Sequence, residues 1–287
     1  MGTISRRTFI TGSAVLGASV LTGGILSGCS SQTPSESQEQ DQSQPNEQTQ
    51  IQTDEQNADA VPVYFTSDIS SAGLLQIWNS LGLEAPKNTA VKLSTGEPGG
   101  NNYLHPDLIE DLIHGVDGTI VECNTAYGGS RGTTELHLQA AADHGFTAIA
   151  NVDIMDADGS LSLPIEGGSH LSEDLVGDHL ANYNYVISLA HFKGHTMAGF
   201  GGAIKNCSIG IASREGKMLI HSAGESTSSW ENPAQDDFLE STAEAAKAVS
   251  DYMQGSMCYI NVMNRLSVDC DCDSHPAEPE MADIGIL

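Results

Sequence analysis

The sequence has few basic residues. Only 11 of its 287 residues are Lys or Arg, against 38 Asp or Glu, which gives a formal net charge of −27. Residues 61–287, the folded region predicted below, contain nine of these bases and 31 of the acids. Such a surface repels polyanions, so nucleic acids are not expected as partners. One segment of this acidic region is an exception, because four bases fall within 25 residues: Lys193, Lys205, Arg214 and Lys217.

Motifs of several familiar cofactor sites are missing. The sequence contains no HExxH motif, no Walker loop and no GxGxxG loop. It also lacks the CxxCxxCxxxC run that holds a ferredoxin-type iron–sulfur cluster. Five cysteines follow Cys29, an odd number that does not suit a disulfide framework. Cys123 and Cys258 lie in or beside apolar strand-like runs and are predicted to be core residues.

The N terminus has the features of an export signal. A twin arginine in SRRTFI precedes an uncharged run from Thr8 to Gly28, the arrangement that addresses folded proteins for export. LSGC, which ends at Cys29, resembles a bacterial lipobox, in which the cysteine is lipidated. Residues 1–29 are therefore predicted to be a twin-arginine signal peptide with Cys29 as its lipidation site. We expect an extracytoplasmic protein, lipid-anchored to the cell membrane; an ordinary signal anchor is the alternative.

Residues 30–60 consist mainly of Ser, Gln, Glu, Asp, Asn and Pro, with Ile51 as the one aliphatic residue before Ala58. Such a segment cannot bury enough apolar surface to fold, so it is predicted to be a disordered polar tether. Residues 61–287 are long enough to form a single α/β domain with a full core.

Predicted strands alternate with predicted helices along residues 61–287. Strands are expected at 61–67, 88–95, 118–124, 147–155, 184–190 and 256–268, and helices at 72–82, 106–116, 134–145, 170–182 and 233–255. This order predicts an α/β fold with a mostly parallel sheet flanked by helices on both faces. Loops that follow parallel strands gather at one edge of the sheet. The Gly-, Asn-, His- and Cys-rich loops of this sequence are therefore expected to share one crevice.

The segment HFKGHTMAGFGGAIKN, residues 191–206, carries the densest chemistry. Three of its glycines would let the backbone approach a ligand: Gly199, Gly201 and Gly202. AIKN can then begin a helix whose N–H groups favour an anion, and Lys193 and Lys205 would add positive charge. Arg131, ahead of another predicted helix start, is a further candidate anion-binding residue. The alternative is a glycine-rich packing turn with solvated lysines.

The segment VDCDCDSHP, residues 268–276, alternates two thiols with aspartates. In an extended chain Cys270 and Cys272 would point to the same side. Together with His275, or with His191 or His195 from the glycine-rich segment, they would form a Zn or Fe site of mixed sulfur and nitrogen ligands. An acidic strand end with two buried thiols is the alternative.

Several of these segments together resemble the DUF362 family. They are KLSTGEPGGNNYLHP (92–106), ECNTAYGGSRGTT (122–134), HFKGHTMAGFGGAIKN followed by SREGK (213–217) and His221, and VDCDCDSHP. Family members are often described as iron–sulfur centre proteins. The resemblance covers residues 61–287 and implies an α/β domain with a link to iron–sulfur or other redox proteins, but no reaction. The missing ferredoxin run is a departure, and the final strand-like DIGIL leads us to expect relatives that continue further.

Three functions are consistent with these features. The first is a lipid-anchored, extracytoplasmic metal-binding protein with a redox or metalloenzyme role, in which Cys270 and Cys272 with His191 or His195 hold the metal. The second is a non-catalytic lipoprotein that binds a small anionic molecule in the same crevice. The third is a metal-dependent hydrolase or transferase. The sequence does not identify a substrate or a redox partner.

Overall fold

The predicted alternation of strands and helices is present in a computed structural model of the chain. The structure describes residues 2–3, 61–84, 86–270, 273, 275 and 277–287. Apart from residues 2–3, the predicted signal peptide and tether, including Cys29, lie outside the described residues, and so does Cys272. None of the helices in the described part combines the length and the apolar character needed to cross a bilayer.

The strands are β1 (Gly2–Thr3), β2 (Tyr64–Phe65), β3 (Thr89–Lys92), β4 (Gly118–Glu122), β5 (Val152–Ile154), β6 (Ser160–Pro164), β7 (Glu173–Gly177), β8 (Tyr185–His191), β9 (Lys193–His195), β10 (Gly199–Gly201), β11 (Met257–Met263) and β12 (Gly285–Ile286). The α-helices are α1 (Ser71–Ser80), α2 (Pro106–Gly115), α3 (Thr134–Asp143), α4 (Phe146–Ile149), α5 (Ala203–Cys207), α6 (Arg214–His221) and α7 (Gln235–Met253). A 3₁₀ helix covers Asp178–Asn182.

The largest sheet has six strands in the order β12-β11-β8-β3-β4-β5. The strands from β11 to β5 pair in parallel, and β12 adds to β11 in the antiparallel sense. The chain starts this parallel sheet in the middle with β3, builds outward through β4 and β5, and then returns to the other side of β3 with β8. The strand order therefore reverses between β3 and β8, which is where open α/β sheets bind ligands.

Side chains of the central strands alternate between two hydrophobic layers, as the pleat requires. Val91, Ile120 and Ile187 pack into a core with residues of α1 and α2. Their neighbours Ala90 and Val121 pack into a second core with residues of α5 and α7. Helices therefore cover both faces, and the predicted α/β fold with a mostly parallel sheet is confirmed. Cys258 is buried in the first core and Cys123 in the second, which confirms both as core residues.

Local signals account for where several helices begin. The hydroxyls of Ser70, Thr133 and Ser213 precede α1, α3 and α6, and each accepts a hydrogen bond from a backbone N–H of the first turn. Pro106 stands at the start of α2, where its missing N–H costs no intrahelical hydrogen bond.

The helix predicted over 170–182 was wrong. Glu173–Gly177 forms β7, which pairs with β6 in an antiparallel hairpin, and the 3₁₀ helix follows it. The strand predicted over 147–155 is confirmed only in its second part, because Phe146–Ile149 forms α4. Residues 173–177 form a strand because β6 supplies their hydrogen-bond partners. A prediction from neighbouring residues alone does not take such a partner strand into account.

We predict that Gly216→Ala destabilises the fold. In a helix this change normally stabilises by up to about 1 kcal/mol. At Gly216, however, the added Cβ would lie 1.9 Å from the carbonyl oxygen of Leu175 in β7. Separating α6 from β7 should lower the free energy of unfolding by about 1–3 kcal/mol, measured by urea denaturation. Gly128→Ala is the matched control, since its Cβ would meet no atom within 4 Å. Equal stability of the two variants would contradict the prediction.

Candidate functional site

A cavity of about 320 Å³ opens at the carboxyl ends of the parallel strands, where the strand order reverses. Residues that end or follow β3, β4 and β8 line it, together with residues of α5 and α6 and Cys270 from the segment after β11. The predicted convergence of these loops on one crevice is therefore observed. The acidic turn at 156–160, which follows β5, contributes none of the described lining residues.

The cavity concentrates positive charge in an acidic protein. Five of the nine bases of residues 61–287 line it: Lys92, Arg131, Lys193, Lys205 and Lys217. Glu122 is the one carboxylate among the lining residues that the structure describes. The charge of these described lining residues is thus opposite in sign to the net charge of the domain.

A buried ion-pair network forms the floor of the cavity. Glu122 Oε2 lies 2.9 Å from Lys92 Nζ, and Oε1 lies 3.0 Å from Arg131 Nη1. Oε1 also accepts a hydrogen bond of 2.8 Å from the backbone N–H of Thr95. Arg131 Nε is 2.8 Å from a second buried carboxylate, Glu97 Oε1. Two acids balance two bases, so this network has no net charge.

The network fixes the protonation states of its members. Burial alone would raise the pKa of Glu122, but Lys92, His137 and Arg131 hold that pKa well below its ordinary value, so Glu122 is ionised. Burial lowers the pKa of His137, which leaves its ring neutral at pH 7. Burial also lowers the pKa of Lys92, and the Glu122 carboxylate opposes this shift.

Lys92 and Arg131 are both occupied by protein groups. Lys92 Nζ uses its three N–H bonds on Glu122, on the Leu93 carbonyl oxygen (2.6 Å) and on Asn206 Oδ1 (3.1 Å). Asn206 Nδ2 in turn donates to the Lys92 carbonyl oxygen at 2.8 Å, which ties α5 to the end of β3. The predicted anion-binding residue Arg131 lies between Glu97 and Glu122; its contact with a ligand stays a prediction.

The other three lysines come from β9, α5 and α6. The side chains of Lys193 and Lys205 flank Gly201, since a Cβ at Gly201 would lie 3.6 Å from Lys193 Cε and 3.8 Å from Lys205 Cδ. Lys217 is buried, and its Nζ donates a hydrogen bond to the carbonyl oxygen of Ala212. Thr125 adds a buried hydroxyl to the lining, for which the described residues provide no hydrogen-bond partner.

The predicted glycine loop forms a hairpin and a helix start. Gly199 and Gly201 belong to β10, which pairs with β9, and Gly202 precedes α5. Gly201 and Gly202 line the cavity, whereas Gly199 takes a positive φ of 73° in the hairpin. Gly202 allows a close approach, because a Cβ there would lie 2.9 Å from Asn261 Oδ1.

Three histidines line the cavity. His191 Nε2 lies 2.8 Å from the carbonyl oxygen of Asn264, to which it donates a hydrogen bond. His195 Nδ1 accepts from the backbone N–H groups of Met197 and Ala198, at 3.2 and 3.0 Å. The third is His221, at the last residue of α6. The family resemblance pointed to His221, but no spacing rule could assign it to this cavity.

The predicted metal ligands are only partly within the described residues. Cys270 lines the cavity and interacts electrostatically with His195. His275 is exposed, and its backbone N–H donates to Asp273 Oδ1. Cys272 lies outside the described residues. Among the residues that are described, no group of three or more His, Cys, Asp or Glu side chains is placed to hold a metal ion.

Sequence reasoning missed Lys92 and Asn206 as part of the site. In the sequence, Lys92 has the features of an ordinary strand residue. In the structure, it is the last of four consecutive buried residues in β3. Its partner Glu122 is 30 residues away, and Asn206 is 114 residues away. The available signals were a lysine at the carboxyl end of a buried strand and the presence of both residues in segments that resemble the DUF362 family.

Comparison with solved structures finds a likeness to the lactate racemase apoprotein from Thermoanaerobacterium thermosaccharolyticum. The sequence identity is 14% and the TM-score is 0.42. The match covers 71% of this chain and 53% of that chain, so the chain spans about half the length of the racemase structure. No curated protein sequence matches the chain.

A family model described as "Domain of unknown function (DUF362)" matches residues 89–287. The matched region runs from the first residue of β3 to Leu287 and includes every lining residue of the cavity. It also includes the segments on which the resemblance was recognised in the sequence. The chain therefore belongs to the DUF362 family.

Proposed function

We propose that the protein binds a small anionic molecule, a carboxylate or a phosphate, in this crevice. The observation that carries the proposal is the charge of the cavity. Among the lining residues that the structure describes, five are bases and one is a carboxylate, in a chain of net charge −27. A buried cavity of this sign in an acidic protein costs folding free energy unless a ligand of opposite charge compensates it.

The ion-pair network in the floor pairs two of the five lining bases with carboxylates. Glu97 and Glu122 neutralise Lys92 and Arg131 within the floor, so these two bases do not account for the excess charge. Lys193, Lys205 and Lys217 are the other three bases among the described lining residues. They come from three separate elements, as expected of groups that surround a ligand rather than of a local run of charge.

Further hydrogen-bond donors face the same space. Thr125 offers a hydroxyl, and the arrangement of His195 leaves a proton on its Nε2. Each hydrogen bond between a charged group and a ligand in such a site contributes about 1.5–3 kcal/mol. Two or three of these bonds are enough for micromolar to millimolar binding of a small anion.

We predict that Lys205→Ala weakens the binding of inorganic phosphate by about 10-fold or more, which corresponds to the loss of one charge-assisted hydrogen bond. Isothermal titration calorimetry at low ionic strength measures the change. Lys87→Ala is the matched control, because Lys87 is exposed in the loop before β3 and is not a lining residue.

The control variant should keep the wild-type affinity. The proposal is wrong if phosphate, sulfate and pyruvate all fail to bind the wild-type chain. It is also wrong if Lys87→Ala and Lys205→Ala weaken binding equally, because the effect would then reflect the overall charge of the protein.

A metal centre is the second candidate function, and the geometry of His191 favours it. A metal-binding histidine normally donates its other N–H to a backbone carbonyl, as His191 Nε2 does to Asn264. His191 together with Cys270, Cys272 and His275 would supply the nitrogen and sulfur ligands of Zn or Fe. His195 fits less well, because two backbone N–H groups already occupy its lone pair. This centre is required for each metal-dependent function predicted from the sequence. These are a redox role, an iron–sulfur centre, and a metal-dependent hydrolase or transferase.

We predict that the chain purified without oxygen contains close to one Zn or Fe per molecule, and that Cys270→Ser/Cys272→Ser removes it. Elemental analysis by mass spectrometry gives the metal content, and the absorption spectrum separates iron–sulfur from zinc. Cys258→Ala is the matched control, since this thiol lies in the hydrophobic core and burial raises its pKa to about 12. A metal-free wild-type protein, or a metal content that the double variant retains, would refute the metal centre.

We also propose that the protein is exported through the twin-arginine route and anchored outside the cytoplasm by a lipid on Cys29. The support is the order of the signals in the sequence: two arginines, an uncharged run and a lipobox-like LSGC. The tether of residues 30–60 would then hold the folded domain away from the membrane.

We predict that Cys29→Ser releases the exported protein from the membrane fraction. Cell fractionation with immunoblotting measures the distribution, and metabolic labelling with a fatty acid detects the lipid. Ser27→Ala serves as a control that changes the same segment without removing the thiol. Membrane association of Cys29→Ser at the wild-type level would contradict lipidation at this residue.

A further inference from the structure

Two histidines face the cavity with opposite arrangements of their ring nitrogens. His195 is half-buried, and its Nδ1 accepts hydrogen bonds from two backbone N–H groups, of Met197 and Ala198. Its neutral ring therefore carries the proton on Nε2. His221 Nδ1 lies 2.6 Å from the carbonyl oxygen of Lys217, which can only accept. In His221 the proton is therefore on Nδ1, and Nε2 keeps the lone pair.

Both rings are neutral at pH 7 and held in place. Burial lowers the pKa of His195 and of His221 to about 4, and the nearby lysines add to both shifts. The His221 ring packs against Trp230 and Phe238, with ring centroids 4.4 and 5.1 Å away. The crevice thus holds one fixed N–H donor and one fixed lone pair.

The two Nε2 atoms belong to residues that line one cavity. Within the described part of the chain, the hydrogen bonds of both rings involve Nδ1, and neither Nε2 atom has a hydrogen-bond partner. Lys193 and Lys205 line the same space. A bound molecule therefore meets a hydrogen-bond donor, a base and cations together.

This set of groups matches one class of ligand. The lysines suit a carboxylate, the N–H of His195 suits a carbonyl oxygen that gains negative charge, and the lone pair of His221 suits an acidic C–H. A 2-oxo carboxylate carries all three features on adjacent atoms. A molecule of three to five carbons fits within a cavity of about 320 Å³.

We propose that the crevice catalyses enolisation of a small 2-oxo carboxylate, with His221 as the base and His195 as the hydrogen-bond donor to the carbonyl oxygen. This inference rests on the anion binding proposed above. His221 Nε2 takes the proton from the carbon next to the carbonyl group. The electron pair of that C–H bond forms the carbon–carbon double bond, and the carbonyl π pair moves to the oxygen.

The resulting enolate is stabilised by the His195 N–H and the lysines, and its negative charge balances the proton gained by His221. Burial lowers the pKa of His221, and the positive charges of Lys205 and Lys217 lower it further. The negative charge of the bound carboxylate offsets the contribution of the lysines and so favours proton uptake by His221. Return of the proton restores the substrate. In D₂O the proton on His221 exchanges with solvent, so the returned atom is deuterium.

The test uses pyruvate with the purified chain in D₂O and follows loss of the methyl signal by proton NMR. Wild-type protein should accelerate exchange above buffer, and His221→Gln should lower the catalysed rate by about 100-fold or more. His195→Leu should lower it similarly, whereas His195→Gln, which retains an N–H donor, should recover part of the rate. His114→Gln is the matched control, because His114 is exposed on α2 and outside the cavity.

Calorimetry with pyruvate on the same variants separates the two proposals. Pyruvate binding without exchange in the wild type overturns the enolisation and leaves the anion site standing. Absence of binding by pyruvate, phosphate and sulfate overturns both. Exchange that persists in His221→Gln, or that borohydride stops by trapping pyruvate on a lysine, assigns the chemistry to an amine and also overturns the inference.

Discussion

The carboxylate of Glu122 is the interaction on which the rest of the site depends. It stands at the end of β4 and binds Lys92 from β3, the backbone of Thr95 and the guanidinium of Arg131. Lys92 continues the network to Asn206 in α5, so one charge connects two central strands, a loop and the helix on the opposite side of the cavity. Removing one partner of such a buried pair leaves an uncompensated charge and costs about 3–5 kcal/mol.

Charge balance inside this network shapes what the cavity can bind. Glu97 and Glu122 pair with Lys92 and Arg131 in the floor, and Lys193, Lys205 and Lys217 are the other bases among the described lining residues. The low polarity of the surroundings lowers the pKa of His195 and His221 and keeps both rings neutral.

The candidate functions share one place in the fold. The lysines proposed to bind an anion, the histidines and Cys270 all line the cavity where the strand order reverses between β3 and β8. At that point the two halves of the sheet diverge and leave a crevice above the carboxyl ends of the strands. A metal on His191 and Cys270 would therefore be a neighbour of the anion site, and a bound anion could reach both.

Much of the fold could be predicted from local patterns, because alternating apolar runs and helix caps act over a few residues. Strands β3, β4, β8 and β11 and helices α1, α2, α3 and α7 were found close to their predicted positions. The region 170–182 was not, since its apolar residues fit a helical spacing while β6 supplied a strand partner. The glycine-rich segment and its lysines stood out in the sequence, but the buried roles of Lys92 and Asn206 did not.

The sequence by itself determined the acidic character of the chain, the α/β class and the family, since each depends on composition or on short motifs. The export signal read from the N terminus stays a prediction. Only the tertiary structure decided that Lys92, Glu122, Arg131 and Asn206 form one network, and that five bases surround one cavity. It also decided the opposite proton positions on His195 and His221. The reason is that the packing of the sheet and helices brings together side chains 30 to 114 residues apart in the sequence. The same packing decides which backbone group lies next to each ring nitrogen.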